Sequence, residues 1–198
     1  MVAEKTLNEI RAALYEGRLD DAGAIIEREY NSFSDSPKLR YYQGVLLLKR
    51  NNQQEAIATL NEALGLATSA GDFKIALAAS AYLAIQKNYD IKVRFTRADL
   101  YLAMGLTKAA YEYLLGELEF YRALNQVNLI FPVIKKIISI DEENLDLTLN
   151  MAKILNHLGK KAEVRRVVES AIFTLQGRGK YDEAAKIQKE YSKLYEEE

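Results

Sequence analysis

Seven turn residues divide this chain in a fixed rhythm. Gly17, Asn51, Gly71, Gly105, Asn125, Gly159 and Gly179 are separated alternately by 34 and 20 residues, so the same punctuation returns every 54 residues. Gly and Asn take the left-handed backbone that closes a helix at little steric cost. The segments between these turns are rich in Ala, Leu, Glu and Lys and show no period-2 alternation, so they read as helices and not as strands. The turns predict an all-α chain of eleven helices, at about 3–16, 19–33, 37–50, 53–70, 73–87, 91–104, 107–124, 127–140, 145–158, 161–177 and 181–196. Ser36-Pro37 is a strong helix entry, with Ser as N-cap and Pro at the first helical position. Pro132 falls inside one predicted segment, and the cost of an interior proline leaves two readings, an eighth helix that starts near Phe131, which is favoured, or one that is kinked there.

The side chains keep the same period. Gly44, Ala98 and Ala152 fall in register, as do Leu47, Tyr101 and Leu155, and Leu60, Leu114 and Val168. Small residues recur where helices would cross closely, and large apolar ones recur where they would fill the gap. The expectation is one repeat domain over 1–198, with copies at 36–89, 90–143 and 144–197 and a partial copy at 1–35. Neighbouring copies would build a continuous core. Leu47, Leu60, Tyr101, Leu114 and Leu155 are expected in it. One-sided helices at both ends, with Leu7, Ile10 and Leu14 in the first and Ala184, Ile187, Tyr191 and Leu194 in the last, read as caps of a complete array.

At these residues the chain resembles the tetratricopeptide repeat family. Gly179-Lys-Tyr181-Asp-Glu-Ala184 follows the family's turn motif. Gly44-x-x-Leu47 with Ala56, Leu60 and Ala63 follows its helix pattern, as does Ala98-x-x-Tyr101 with Gly105, Ala110 and Leu114. Ala152-x-x-Leu155 with Gly159, Val168 and Ala171 is a weaker copy, and Glu142 stands where the repeat-closing proline usually stands. Arg40, Arg94 and Thr148 replace the usual bulky residue early in the first helix, and Gln43, Arg97 and Met151 replace the next leucine. The 20-residue spacing also makes one helix serve two adjoining motifs. The resemblance implies a right-handed α-solenoid of antiparallel helices with local irregularity.

Composition narrows the function. The chain holds 27 Lys+Arg against 28 Asp+Glu, a balance without the electrostatic footprint of a nucleic-acid binder. It has no Cys, which removes disulfides, zinc-thiolate sites and thiol nucleophiles and fits a soluble cytoplasmic protein. The first residues are charged where a signal peptide is apolar, and the run Ile75–Ile85 is too short to cross a bilayer. The single histidine, His157, has neither Cys nor a second His as partner. Gly177-Arg-Gly179-Lys resembles a phosphate loop but follows a helix and lacks its third glycine. Asp141-Glu142-Glu143 with Asp146 lacks calcium-loop spacing and reads as acid placed before a helix start. No cofactor, metal or catalytic residue is expected.

The resemblance instead implies a non-catalytic interaction scaffold, with a peptide segment or partner domain held on a concave helical surface. Carried over from the family, the groove positions are Tyr41, Val45 and Lys49, then Phe95, Asp99 and Leu102, then Leu149, Lys153 and Asn156 with His157 beside them. Two further features draw notice. Tyr111, Tyr113, Phe120 and Tyr121 crowd one helix, more aromatic surface than a single buried stripe requires. Lys160, Lys161, Arg165 and Arg166, with Arg178 and Lys180, concentrate positive charge near the last copy; they read first as a solvated basic face, and as the alternative they would suit an acidic or phosphorylated segment. The alternative function is self-assembly into a homo-oligomer through the Tyr-rich helix or a repeat face.

Overall fold

The computed structural model describes residues 2–86, 90–142 and 144–196. Its helices are α1 (Glu4–Tyr15), α2 (Leu19–Phe33), α3 (Pro37–Lys49), α4 (Gln53–Ser69), α5 (Phe73–Gln86), α6 (Ile91–Ala103), α7 (Thr107–Ala123), α8 (Val127–Ile138), α9 (Leu145–His157), α10 (Lys161–Gly177) and α11 (Tyr181–Glu196). Among the described residues the regular structure is all-α, in tetratricopeptide-like helical hairpins. Residues 89, 143 and 197, where the three sequence copies end, lie outside the described residues, as does Glu143 of the acidic run.

The turns account for this match. All seven rhythm residues adopt left-handed backbone, with φ from 53° at Asn125 to 78° at Gly17. After α3, the Asn52 amide donates to the Leu47 carbonyl at 2.9 Å and the Asn51 amide to Leu48 at 3.0 Å. The first of these bonds, which spans five residues, returns at 2.9 Å from Arg18 to Ala13, Asp72 to Ala67, Leu106 to Tyr101, Gln126 to Tyr121, Lys160 to Leu155 and Lys180 to Leu175. Each uses carbonyls that a helix end leaves unpaired and stops the helix within a few residues. The other helix starts at the 54-residue period are side-chain caps. Ser36 Oγ accepts from the Leu39 amide at 3.4 Å, Asp90 Oδ1 from Lys92 at 3.0 Å and Asn144 Oδ1 from Leu147 at 2.9 Å. Each copy therefore has two tight turns and one capped entry.

Pro132 does not start the eighth helix; it lies inside α8. The start is set upstream by the Asn125 turn, and the buried stripe Ile130, Val133, Ile134 and Ile137 needs helix on both sides of the proline. The missing amide costs one bond, which would have closed on the Asn128 carbonyl in the first turn, and four buried apolar side chains outweigh it.

Contacts divide the chain into two compact units, Met1–Leu106 and Thr107–Glu198. In the first, α3 touches both α1 and α5 as well as its sequence neighbours, and α6 packs on α5. Leu39, Val45 and Leu46 of α3 join Leu7, Ile10, Leu14 and Ile26 in one core. On its other side α3 meets α4 at Gly44, where a Cβ would stand 2.7 Å from Leu60 Cγ and 2.8 Å from Leu60 Cδ2. Only glycine permits that approach. With its sides committed in this way, α3 turns Leu47 to the rim, where it is half-buried, contrary to the expectation from periodicity. Tyr101 is likewise half-buried, whereas Leu60, Leu114 and Leu155 are fully enclosed. Arg40 explains one departure from the family pattern. Its guanidinium carbon lies 4.5 Å over the Tyr30 ring and its Nε lies 3.3 Å from Glu62, so it fills the place of a bulky apolar residue by stacking.

In the second unit α7 packs on α8, α8 on α9 and α9 on α10, while α11 touches both α10 and α9. Its core runs through Leu114, Leu118, Tyr121, Ile134, Leu155, Val164, Leu175 and Ile187.

Candidate functional site

Helix α8 carries more apolar surface than its buried stripe uses. Phe131 and Ile138, two turns apart, lie off that stripe and remain half-buried. They form one wall of a crevice in the second unit, and Val167 and Ala171 of α10 form the other. The crevice has a volume of about 280 Å³ and is bordered by Ser170, Thr174, Ser139, Lys135, Arg166 and Glu142. The turn after α8 closes one end, held by Ser139 Oγ donating to the Lys136 carbonyl at 2.7 Å and Asn144 Nδ2 donating to Asp141 Oδ2 at 3.2 Å.

The charges around it are not balanced. Glu142 lies 3.7 Å from Arg178, so the carboxylate on the rim already has a cation beside it. Arg165 is likewise occupied, with Nε donating to Glu169 Oε1 at 2.7 Å. Lys135 and Arg166 are exposed and pair with no carboxylate among the described residues. Two available cations thus flank an apolar floor. Phe173, two turns beyond Arg166 on the same face of α10, is 79% exposed.

Of the partner-binding candidates read from sequence, only Arg166 borders this crevice; Glu142, weighed there as a cation ligand, lies on its rim. Lys161 and Arg165 are exposed elsewhere on α10, and Lys160 is half-buried at its start. On α7, Tyr121 is fully buried with its ring 5.4 Å from Phe120, while Tyr111 and Tyr113 are half-buried. Phe120 itself is 37% exposed, so of the four aromatic residues only Tyr121 is fully committed to the core. The family-derived positions fall on α3 and α6 in the first unit and on α9 in the second. Lys49, Asp99, Lys153 and His157 are exposed; Phe95, Leu102, Leu149 and Asn156 are half-buried. Val45 is buried in the first unit's core. Tyr41 is half-buried, its ring 5.3 Å from Tyr42 and 6.1 Å from Tyr82. Burial, with the neighbouring Tyr82, pushes its phenol up to about 12.

Sequence reasoning did not single out Lys135, Ile138, Val167, Ser170 or Thr174, and gave Phe131 and Ala171 no role in a site. The available signal was the second apolar stripe of α8, Phe131 and Ile138 beside Lys135, spaced as one helical face. The phosphate-loop resemblance at Gly177–Lys180 has a structural explanation. Those residues close the C-terminus of α10, where the Lys180 amide is spent on Leu175 and the helix dipole repels anions. Among the described residues no three His, Asp or Glu side chains are grouped as a metal ion requires, and no helix is long and apolar enough to cross a membrane.

No family model matches the chain, and no curated protein does. Several solved structures do. A kinesin light chain-like protein of Podospora anserina with nearly identical TPR-like repeats is 13% identical, over 88% of this chain and 95% of that one, with a TM-score of 0.46. A tetratricopeptide repeat protein of Parabacteroides merdae is 15% identical over 96% and 92%, at 0.30. The pilF protein of Pseudomonas aeruginosa is 14% identical over 98% and 97%, at 0.31. Tetratricopeptide repeat proteins are thus what this chain is similar to.

Proposed function

We propose that this chain is a non-catalytic interaction scaffold of the cytoplasm, a single repeat domain that holds a peptide segment or partner domain on its helical surfaces. The observation that carries the reading is a set of mixed side chains standing on helices whose other sides are locked in a core. On α9, Leu149, Lys153, Asn156 and His157 face outward to different degrees while Leu147, Met151, Ala152 and Leu155 are buried. On α3, Tyr41 and Lys49 do the same above Leu39 and Leu46. Such a surface is ordered before a partner arrives, so little conformational entropy is lost on binding. Among the solved neighbours, one structure is of Naa15/Naa10 bound to HypK, at 13% identity over 92% of this chain and 35% of that one, with a TM-score of 0.33.

Affinity capture from native lysate tests the reading. Wild type is expected to retain a stoichiometric partner, and Lys49→Glu with Lys153→Glu is expected to release it with helicity unchanged. A partner held equally by both proteins moves the site off α3 and α9; no partner at all refutes the scaffold reading. A second reading, self-assembly, is favoured by Tyr15, Phe173 and Tyr181, which are 90%, 79% and 66% exposed. Light scattering on the pure protein separates the two, because only self-assembly gives an oligomer without a partner.

A further inference from the structure

From the α8–α10 crevice we infer a specific docking site, which rests on the scaffold reading and gives it a ligand chemistry. The crevice takes an internal acidic-apolar segment of a partner protein. One large apolar side chain enters between Phe131, Ile138, Val167 and Ala171, and a flanking carboxylate lies between Lys135 and Arg166.

Size points to a side chain as the occupant. At about 280 Å³ the crevice is below the ordinary range for a whole small-molecule ligand but has room for one Leu or Phe anchor. Anchors of this kind, inserted in a desolvated pocket, carry most of the energy in protein interfaces. Charge selects what surrounds the anchor. Glu142 is matched by Arg178 at 3.7 Å, whereas Lys135 and Arg166 have no carboxylate of their own among the described residues. A basic segment would face both cations, and a neutral one would desolvate them without recompense. Phe173 extends the surface along α10 and offers an exposed aromatic to the same segment. The site lies on α8 and α10, not on the α9 positions Leu149, Lys153 and Asn156.

The test uses the full chain and a fluorescein-labelled synthetic peptide carrying a Phe-Leu pair between glutamates, read by fluorescence anisotropy. Binding should weaken as salt is raised. Lys135→Glu with Arg166→Glu should weaken it about tenfold or more, since reversing two rim charges replaces attraction with repulsion. Ser170→Trp, at an exposed position on the crevice edge, should abolish binding by filling the cavity. Peptides with lysines for the glutamates, or serines for Phe-Leu, should not bind. Circular dichroism of both variants should match wild type, because the altered side chains are exposed. Failure of the wild type to bind the acidic peptide, or equal binding by the variants, overturns the inference. Running both variants in the lysate capture separates the two readings. A partner retained equally by both refutes the crevice and leaves the scaffold standing. Peptide binding with the expected variant losses, but no captured partner, supports the crevice chemistry and refutes the scaffold.

Discussion

Gly44→Ala measures the α3–α4 crossing directly. The added methyl would stand 2.7 Å from Leu60 Cγ, with the Leu60 amide nitrogen at 3.4 Å. Carbon atoms prefer about 3.5–4.0 Å, so the overlap is about 1 Å. Leu60 is 0% exposed, and its Cγ sits too near the backbone to swing aside. Overpacking of this kind costs about 2–3 kcal/mol, and replacing glycine by alanine in a helix returns about 1 kcal/mol. The net expectation is a loss of about 1–2 kcal/mol. Gly65, on α4 of the same hairpin, has nothing within 4 Å of an added Cβ, so Gly65→Ala should gain about 1 kcal/mol. Urea unfolding followed by far-ultraviolet circular dichroism reads both variants through the same unit. The reference terms cancel in the comparison, leaving a gap of about 2–3 kcal/mol between them. Adding Leu60→Ala to Gly44→Ala should cost less than the sum of the single changes, because the new methyl occupies part of the vacated space. Should Gly44→Ala prove as stabilising as Gly65→Ala, the close crossing is refuted.

Two further outcomes follow from single residues. Pro132→Ala restores an amide to α8 and should raise stability by about 1 kcal/mol or more; lower stability in thermal unfolding would show that the proline shapes the helix instead of merely being tolerated. Tyr41 has its phenol raised from 10.0 to about 12 by burial, so its contribution is intact below pH 10 and declines as pH rises towards 12, because the unfolded chain ionises first. Tyr41→Phe should flatten that alkaline decline, and identical pH slopes for the two proteins would refute the assignment.

The turns were legible in the sequence because their cause is local. A left-handed residue needs Gly or Asn wherever it occurs, and a side-chain cap needs Ser, Asp or Asn three residues or fewer before the amide it accepts from. Asn51, Asn125 and Ser36 therefore announced their helix boundaries without reference to anything distant. Pro132 misled for the opposite reason. Its cost is local, but the stripe from Ile130 to Ile137 that outweighs it acts through contacts with other helices.

Which faces those helices bury was a tertiary decision. Leu47, Tyr101 and Leu155 are equivalent by period, yet only Leu155 is fully enclosed. Helices that are equivalent by period meet different neighbours. In the first unit α3 lies beside α1 and α5, while its counterpart α6 packs on α5. The crevice has the same origin. Phe131 and Ile138 are visible in the sequence as spare apolar residues, but their pairing with Val167 and Ala171 exists only once α8 and α10 are brought together around α9. Turn residues determine where this chain bends because backbone sterics act within a few residues; packing determines what each helix faces because burial depends on every neighbour at once.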